Sequence, residues 1–373
     1  MTTAVVLVAA GKGERLGLGI PKAQAQVGGK SLYEHALTQI KEFSPAQVVV
    51  VAPDDMVSQY ELTARAFEFQ DLQVVAGGET RQDSVSNGLA RVTQSLVLVH
   101  DAARAFMPAT VFQSVEAKLQ NSDCVIPVVA VTDTLKTVQN HLVAGTVDRT
   151  VTFRSQTPQG FRVAALRQAL SETNSNFTDE AALMESIGVA VATVPGSDLG
   201  LKVTTTADLD WARLRFGHSR TGIGTDAHRF GENGTLVLGC LYWPELPKLE
   251  GHSDGDSIAH AIVDALLGAA GLGDIGSNFG VDRPEFAGAS GETFLTATLE
   301  IVAAAGFEVA NVSVQVIADK PKIGPRRAEL EQKLSEVLGA RVSVAATTTD
   351  GLGFLADSKG IAAVATALLR ERS

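Results

Sequence analysis

The first half of the chain alternates continuous apolar runs with segments whose apolar residues recur at helical spacing. The runs AVVLVAA, QVVVVAP, SLVLVHDAAR and DCVIPVVAV predict strands covered on both faces, because they lack the alternation of a half-solvated strand. Between them, residues 31–43, 83–92 and 108–120 carry the periodicity of helices. Strand and helix in alternation predict right-handed βαβ units around a parallel sheet, and so an α/β fold.

This rhythm is interrupted twice. Residues 133–161 predict a β-arm or hairpin inserted in the sheet domain. The polar, Gly-rich stretch GHSRTGIGTDAHRF predicts a linker and a domain boundary near Gly217, which gives domains 1–216 and 217–373. The second domain predicts a compact α/β unit that opens with a strand. Its further predicted elements are helices at 257–271, 292–305, 325–338 and 359–371 and strands at 311–318 and 341–347.

The length and the net charge of the chain limit the kinds of protein that it can be. A chain of 373 residues fits two domains, and its net charge of −11 argues against nucleic acid or an anionic membrane as the main partner. An acidic protein that handles phosphates must place its cations locally and recruit a divalent metal. The only cysteines, Cys124 and Cys240, could form one disulfide but are better read as reduced thiols of a cytoplasmic protein. The short apolar N-terminal run predicts a strand, and no run has transmembrane length.

A Gly-rich turn, LVAAGKGERLGLGIPK, follows the first predicted strand. Gly11 and Gly13 allow the backbone to approach a ligand and to turn its N–H groups toward phosphate. Arg15 and Lys22 add two cations near the same turn. The third glycine of a dinucleotide fingerprint is replaced by Leu16, and no acid follows about 20 residues later. A plain turn is the alternative, and the two cations favour phosphate binding.

Polar residues also follow other predicted strands. The stretch AGGETRQDSV forms a loop before a helix, and either Asp83 or Ser84 could simply cap that helix. In HDAAR, Asp101 could hold a metal ion or a ribose, or it could form a surface salt bridge. Because ligands of parallel sheets bind beyond the carboxyl ends of the strands, these residues predict a site at that edge.

The second domain contains a possible metal site. Asp226 and His228 lie two apart on a predicted strand and therefore on the same face. In GHSDGDSIAHAIVDALLGAAG, Asp256, His260 and Asp264 are four apart and share a stripe of the predicted helix. Two histidines and an aspartate can form a three-ligand zinc site with one open position, and Asp264 could orient His260. Alternatively, Asp256 caps the helix and His260 is a solvated helix residue.

Eight motifs in order within residues 1–215 resemble 2-C-methyl-D-erythritol 4-phosphate cytidylyltransferase: AAGKGERL, PK, GGETRQDSV, HDAAR, DT, DR before TPQ, TDEAALME and LKVT. The resemblance implies a dimerising, Rossmann-like nucleotidyltransferase domain that uses Mg²⁺ to transfer CMP from CTP to methylerythritol phosphate and releases pyrophosphate. The implied catalytic residues are Arg15, Lys22, Arg149 and Lys202. The implied substrate-binding residues are Ala10, Gly11, Gly78, Glu79, Ser84, Asp101 and Thr157. Arg149, on the predicted arm, could serve a neighbouring subunit. Ala23 and Ala105 replace the usual Gln and Pro.

Within residues 220–373, GTDAHRF, GHSDGDSIAHAIVDALLGAAGLGDIG, VIADKPKI and ATTTDGLGF resemble 2-C-methyl-D-erythritol 2,4-cyclodiphosphate synthase. The resemblance implies a trimerising domain that closes the 2-phosphate of its CDP-bearing substrate onto the β-phosphate and expels CMP. The implied metal ligands are Asp226, His228 and His260 for Zn²⁺ or another divalent transition metal, and Asp350 for Mg²⁺. The implied catalytic residues are His252 and Thr348. The implied substrate contacts are Ser253, Asp274, Ile275, Gly276, Ala318, Lys322, Thr347, Thr349 and Phe354.

Three departures from this second pattern bear on magnesium binding, substrate affinity and the electrostatics of the subunit junctions. Asp350 replaces the usual Glu, FGVDR at 279–283 replaces FPDTD, and LADSKG at 355–360 replaces TGRGEG. The three predicted zinc ligands are intact.

The motifs together predict a bifunctional enzyme of non-mevalonate isoprenoid synthesis, located in the cytoplasm. Dimeric and trimeric domains would be satisfied together in a homohexamer. One alternative is a nucleotidyltransferase for another polyol phosphate fused to a metal-dependent phosphodiesterase. Another is a nucleotide-sensing scaffold with a structural zinc, against which a site with only three protein ligands argues.

Overall fold

The computed structural model describes residues 2–11, 13, 16–17, 19–173, 175–251, 254–280, 283, 286, 288–353, 355 and 359–372. The chain divides into two compact units, residues 1–216 and residues 217–373, called here the N-terminal and the C-terminal unit. Among the described residues, no helix combines the length and the apolar character needed to cross a bilayer.

The N-terminal unit is an α/β unit with one large sheet. Its strands are β1 (Thr3–Val8), β2 (Gln26–Val27), β3 (Lys30–Ser31), β4 (Gln47–Ala52), β5 (Leu72–Ala76), β6 (Leu96–Asp101), β7 (Cys124–Ala130), β8 (Lys136–Gln139), β9 (Leu142–Thr146), β10 (Phe153–Ser155), β11 (Gln159–Arg162) and β12 (Val191–Pro195). Its helices are α1 (Leu32–Phe43), α2 (Val57–Arg65), α3 (Arg81–Leu89), α4 (Ala109–Leu119), α5 (Val163–Glu172), α6 (Glu180–Ser186) and α7 (Thr206–Phe216).

The large sheet has the order β10-β7-β11-β6-β1-β4-β5, and β12 also pairs with β7. Strands β6, β1, β4 and β5 run parallel, whereas β11 enters antiparallel between β6 and β7. The carboxyl ends of the parallel strands meet at one edge, where the predicted phosphate and sugar contacts follow them. Strands β8 and β9 form a separate antiparallel hairpin, as predicted for the arm.

Both faces of this sheet are covered, which explains the continuous apolar strands. One face packs against α1 and α4 through Tyr33, Leu37 and Phe112. The other packs against α3 and α5 through Val85 and Leu166. A strand buried on both sides has no polar face, so its sequence shows no alternation.

The described residues of the C-terminal unit form four α-helices and a smaller sheet. Its strands are β13 (Ser219–Arg229), β14 (Leu236–Leu238), β15 (Leu241–Trp243), β16 (Phe307–Ile317), β17 (Arg341–Thr347) and β18 (Gly360–Glu371). Its helices are α8 (Ser257–Ala270), α9 (Ile275–Phe279), α10 (Gly291–Ala304) and α11 (Arg327–Leu338). The sheet order is β13-β18-β16-β17, and β14 and β15 form a hairpin of their own.

The helix predicted at 359–371 is wrong, because these residues form β18 at the centre of the sheet. Ile361, Ala365 and Leu369 belong to the face that is buried in the core. The residues between them are also mostly apolar, so the period of two is hidden. Alanine favours helices in isolation, but pairing of β18 with both β13 and β16 overrides that preference.

Strand β13 lies directly against α8 because two of its residues lack a side chain. A Cβ on Gly222 would overlap the carbonyl oxygen of Ala265, and one on Gly224 would overlap that of Ala261. This close approach brings the last part of β13 beside the first two turns of α8.

Candidate functional sites

The carboxyl edge of the large sheet encloses a cavity of about 570 Å³, called here the larger cavity. It is lined by the turn after β1, by the loop before α3 and by the end of β6. Eight of the predicted site residues line it: Ala10, Gly11, Lys22, Gly78, Glu79, Ser84, Asp101 and Lys202. Gly13, at φ +74°, also lines it, and a Cβ there would press against the backbone of Lys22. Arg15 lies outside the described residues.

The loop before α3 is organised by a capping box. Thr80 caps the helix by accepting from the Asp83 backbone N–H at 3.1 Å, and the Asp83 carboxylate accepts from Thr80 N at 3.0 Å. Asp83 is therefore the reciprocal partner and not the cap, and Ser84 is not a cap either. The Ser84 hydroxyl instead accepts from Gly78 N at 3.1 Å. This bond fixes the Gly78 backbone at the cavity wall.

A charged wall separates the larger cavity from a second cavity of about 90 Å³, called the smaller cavity. Arg81, Asp101 and Lys202 line both cavities. Asp101 Oδ1 accepts from Arg81 Nε at 3.1 Å, and its Oδ2 accepts from Lys202 Nζ at 2.6 Å. Burial opposes ionisation of Asp101, but Arg81 and Lys202 outweigh it and hold the pKa of this carboxyl far below its usual range. The surface salt bridge considered for Asp101 is therefore replaced by a buried one.

Thr157 lies behind this wall and lines the smaller cavity. Its hydroxyl accepts from Asp101 N at 3.1 Å and lies 3.1 Å from His100 Nδ1. Burial lowers the pKa of His100 to about 4, so this imidazole is neutral near pH 7. Arg149 lies elsewhere, exposed after the β8–β9 hairpin, where its guanidinium donates to Thr132 O at 2.7 Å.

In the C-terminal unit, the predicted zinc ligands converge. One ligand atom each from Asp226, His228 and His260 can be chosen so that all lie within 4.8 Å of one another. Asp226 and His228 share the inward face of β13, and His260 lies on the first turn of α8. Asp226 Oδ2 is 2.6 Å from His228 Nδ1 and 3.6 Å from His260 Nδ1.

The donor atoms of this triad fit a cation. Asp226 Oδ2 and His228 Nδ1 are both buried. Their 2.6 Å contact lacks the alignment of a hydrogen bond, so neither atom has a hydrogen-bond partner in the described structure. Buried polar atoms in proteins are nearly always satisfied, so two orphans facing one point indicate a missing partner. One carboxylate and two imidazoles form the donor set of a three-ligand zinc site. Against the effect of burial, Asp226 raises the pKa of His260.

The other acids of α8 have structural tasks. Asp256 caps α8 through Ala259 N at 3.1 Å and also accepts from Gly239 N and Cys240 N at 2.8 and 2.7 Å. The capping role considered for Asp256 is confirmed, whereas the solvated position considered for His260 is wrong, because His260 is 6% exposed. Asp264 accepts from Ile275 N at 2.7 Å, which joins α8 to α9.

Further predicted contacts gather at two places. Asp274 caps α9, where Ile275 and Gly276 begin the helix. Ala318 follows β16, Thr347 ends β17, and Thr348 and Thr349 come directly after it. Ala318 N donates to Thr347 O at 3.0 Å. Lys322, four residues after Ala318, is exposed.

Asp350 is exposed at φ +52°, and its carboxylate accepts from the Thr348 hydroxyl at 2.9 Å. Asp226 pairs through Ala363 and Val316 with Ala346, so three strand spacings, about 14 Å, separate the triad from the end of β17. His252, Ser253 and Phe354 lie outside the described residues.

Sequence reasoning assigned no role to two charged residues of the first site, Arg81 and Glu180. Both stand within motifs quoted above, but a charge at the start of a helix is usually solvated. Glu180 is instead 2% exposed, and both its oxygens accept from Arg81. Only the packing of α6 against the sheet reveals this burial.

Comparison with known proteins assigns both units. Residues 3–217 match the family model of 2-C-methyl-D-erythritol 4-phosphate cytidylyltransferase, and residues 219–370 match the YgbB family. A bifunctional enzyme IspD/IspF of Clavibacter michiganensis is 47% identical, covering 98% of this chain and 93% of that one. The chain belongs to the family of bifunctional IspD/IspF enzymes. A further IspD/IspF enzyme, from Rhodospirillum rubrum, is 38% identical over 98% of both chains.

A solved relative agrees with this assignment. The bifunctional IspDF structure from Campylobacter jejuni is 28% identical and aligns over 100% of this chain and 99% of that one with a TM-score of 0.50. The predicted α/β fold class, the family and the bifunctional enzyme function are thereby confirmed. The alternative of another polyol phosphate transferase fused to a phosphodiesterase is not favoured.

Proposed function

We propose that residues 1–216 transfer CMP from CTP to the 4-phosphate of methylerythritol phosphate, and that residues 217–373 convert 4-CDP-methylerythritol 2-phosphate to the 2,4-cyclodiphosphate. The observation that carries the first assignment is the charged wall of Arg81, Asp101 and Lys202, which borders both cavities. A nucleotide in the larger cavity and a polyol phosphate in the smaller one would meet at this wall.

The first reaction joins two anions, so its barrier is dominated by repulsion and by charge that builds up at phosphorus. An oxygen of the acceptor phosphate attacks the α-phosphorus in line, one P–O bond forms, and the bond to pyrophosphate breaks. Lys22 at the Gly-rich turn and Lys202 at the wall provide cations fixed in position, which is how such charge is stabilised. We assign Arg15 to the same task on the family motif.

Nucleotide recognition falls to the opposite side of the larger cavity. Gly78, Glu79 and Ser84, with the backbone of Ala10 and Gly11, would contact cytosine and ribose. A side chain at position 78 would overlap Asp83, so the loop at this wall of the cavity requires glycine there. Bound Mg²⁺ would neutralise the triphosphate.

The acceptor would be held by Lys202 and Thr157 at the smaller cavity. Arg149 completes this set in the family pattern, yet in this chain it lies exposed after the hairpin and lines neither cavity. We therefore propose that Arg149 reaches the site of a neighbouring subunit.

For the second reaction, Asp226, His228 and His260 would hold Zn²⁺. When bound, the metal supplies a Lewis acid for a phosphate oxygen. An oxygen of the 2-phosphate attacks the β-phosphorus, one P–O bond forms, and the bond to CMP breaks. This intramolecular attack depends on geometry, which we assign to His252, Ser253 and the threonines at the end of β17. Asp350 would hold Mg²⁺ on the diphosphate, and Ala318 and Lys322 would contact cytosine.

A homohexamer with dimeric N-terminal and trimeric C-terminal contacts is the assembly we propose. The strand spacing of about 14 Å between Asp226 and the end of β17 supports a second site built at a subunit junction. Light scattering tests this directly, and a monomeric mass overturns it. The predicted cytoplasmic location stays a prediction.

The deciding assay supplies CTP, Mg²⁺ and methylerythritol phosphate to the full chain and measures pyrophosphate. Adding a separate 4-CDP-methylerythritol kinase with ATP then tests for CMP release by the second site. We expect both products in sequence. Pyrophosphate release with other polyol phosphates but not with methylerythritol phosphate would contradict the first assignment, and CDP-bearing substrate that accumulates without CMP release would contradict the second.

A further inference from the structure

Glu180 is a buried charge that borders neither cavity. It begins α6, its side chain is 2% exposed, and its Oε1 and Oε2 accept from Arg81 Nη1 at 2.7 and 2.9 Å. Burial raises the pKa of Glu180, and the ion pair with Arg81 opposes this rise. Without Arg81 the buried carboxylate would be unpaired, which is far more costly.

Arg81 uses the other side of its guanidinium on Asp101. Its Nε lies 3.1 Å and its Nη2 3.0 Å from Asp101 Oδ1. One planar group therefore clamps a carboxylate from the end of β6 and another from the start of α6. Because the guanidinium is planar and presents its donors in a fixed fork, the position of Glu180 dictates the orientation of Arg81 toward Asp101.

The start of α6 is itself anchored to the sheet. Asp179 caps the helix through Ala182 N at 2.9 Å and accepts from Gln159 Nε2 at 2.8 Å. Gln159 Oε1 in turn accepts from Ala181 N at 3.2 Å. Glu180 thus stands on a backbone that is fixed on both sides, which suits a group that positions others.

We propose that Glu180 is a positioning residue for cytidylyl transfer, which holds Asp101 through Arg81 in the wall where the acceptor phosphate meets the nucleotide. The proposal rests on the proposed function of the N-terminal unit. Without the Glu180 carboxylate, Arg81 can turn and Asp101 keeps only Lys202 as a charged partner. Gly78 and Ser84 lie on either side of Arg81 in the chain, but the hydrogen bond from Gly78 N to the Ser84 hydroxyl holds them independently of Arg81. We therefore expect the nucleotide contacts to be kept and acceptor binding to suffer first.

The charge of the cluster around Asp101 allows a test of this proposal. The direction in which the acceptor KM changes distinguishes an electrostatic effect from a loss of positioning. With Glu180 ionised, the cluster of Arg81, Lys202, Asp101 and Glu180 contains two positive and two negative charges. Glu180→Gln leaves this cluster one unit more positive while retaining an oxygen that accepts from Arg81. A purely electrostatic effect would lower KM for the anionic acceptor, whereas loss of positioning raises it.

The experiment measures both KM values and kcat for cytidylyl transfer by the full chain. For Glu180→Gln we expect KM for methylerythritol phosphate to rise about tenfold and KM for CTP to stay within about twofold, as for a small displacement of an acceptor contact. Glu180→Asp, which keeps the charge but withdraws it by one methylene, should raise the acceptor KM by about threefold. Glu185→Gln, an exposed change in the same helix, is the matched control and should alter neither KM.

A double mutant with Arg81 distinguishes a positioning role of Glu180 from a general loss of stability. In an Arg81→Gln background, Glu180→Gln should have no further effect on the acceptor KM. Cyclodiphosphate synthase activity of the same chain reports the enzyme concentration, and an unchanged KM for CTP reports an intact first site. An acceptor KM that stays within twofold or falls in both Glu180 variants overturns the proposal. Wild-type protein that makes no pyrophosphate overturns the proposed function instead.

Discussion

Each unit places an aspartate in the last part of a strand, among groups that lower its pKa, but the two aspartates have different partners. Asp101 has both oxygens occupied by Arg81 and Lys202 from its own unit. Asp226 has an oxygen that faces two imidazoles and accepts no hydrogen bond. In the first site the aspartate charge is neutralised by an arginine and a lysine. In the second site a bound metal ion would neutralise it.

The two buried histidines beside these aspartates show the same contrast. Burial lowers the pKa of His100 to about 4, and its ring packs 4.9 Å from Phe112. The pKa of His260 is instead raised, because Asp226 outweighs its burial. A neutral imidazole serves as a structural partner, and one beside a carboxylate and a second imidazole serves as a ligand. The activities should therefore fail separately when either aspartate loses its partners.

Among the variants, His260→Ala should produce the largest difference between the two activities. Even outer partners of metal ligands cost 10- to 100-fold, so we expect CMP release from 4-CDP-methylerythritol 2-phosphate to fall by about 10³-fold. Zinc content measured by mass spectrometry should fall with it, while pyrophosphate release from CTP stays within about twofold. His218→Ala, an exposed change, is the control. Full cyclase activity in a zinc-free His260→Ala protein would contradict the triad as the metal site.

Lys202→Ala should produce the reciprocal loss. Removing one group that stabilises developing charge typically costs about 10²–10³ in kcat, and here it also leaves Asp101 with a single cation. We expect cytidylyl transfer to fall by about 10²-fold, measured by pyrophosphate release, with cyclase activity unchanged. Lys118→Ala on an exposed face of α4 should change neither activity. Equal losses in both reactions would show that the sites are coupled.

The lowered pKa of His100 should make the stability of the N-terminal unit, but not that of the C-terminal unit, depend on pH. Its folded pKa of about 4 lies below the unfolded value, so the unfolded chain binds the proton first as pH falls. The contribution of His100 is therefore complete above about pH 6.5 and declines by about 3 kcal/mol toward pH 4.

Urea unfolding followed by ¹⁹F NMR of fluorotryptophan separates Trp211 in the N-terminal unit from Trp243 in the C-terminal unit. His100→Asn should flatten the pH profile at Trp211 but not at Trp243. His141→Asn, on the exposed hairpin, should leave both profiles as they are. An unchanged Trp211 profile in His100→Asn would refute the assignment.

Added zinc should stabilise the C-terminal unit alone. A ligand that binds only the folded state raises the free energy of unfolding by about 2.7 kcal/mol when its concentration is 100 times its Kd. We expect this shift at Trp243 and none at Trp211, and we expect His228→Ala to abolish it. Equal stabilisation of wild type and His228→Ala would place the zinc elsewhere.

Prediction of secondary structure from the sequence succeeded best for strands that are buried on both faces and therefore consist of continuous apolar residues. Strands β1, β4 and β6 and the triad of Asp226, His228 and His260 follow from local patterns and motif order. The strand β18 did not, because alanine on both of its faces conceals the alternation. Glu180 gave no signal either, since its burial arises from the packing of α6 and not from its neighbours in the chain.

The position of β18 also has a consequence for synthesis. Strand β13, the first of its unit, reaches β16 through β18, whose residues 360–371 are made more than 130 residues later. The large sheet, by contrast, has received all its strands by Pro195. On the ribosome, where domains fold as units from the N-terminus, the first unit can complete its sheet during elongation. The second must wait with β13 unpaired until its closing segment has emerged from the exit tunnel.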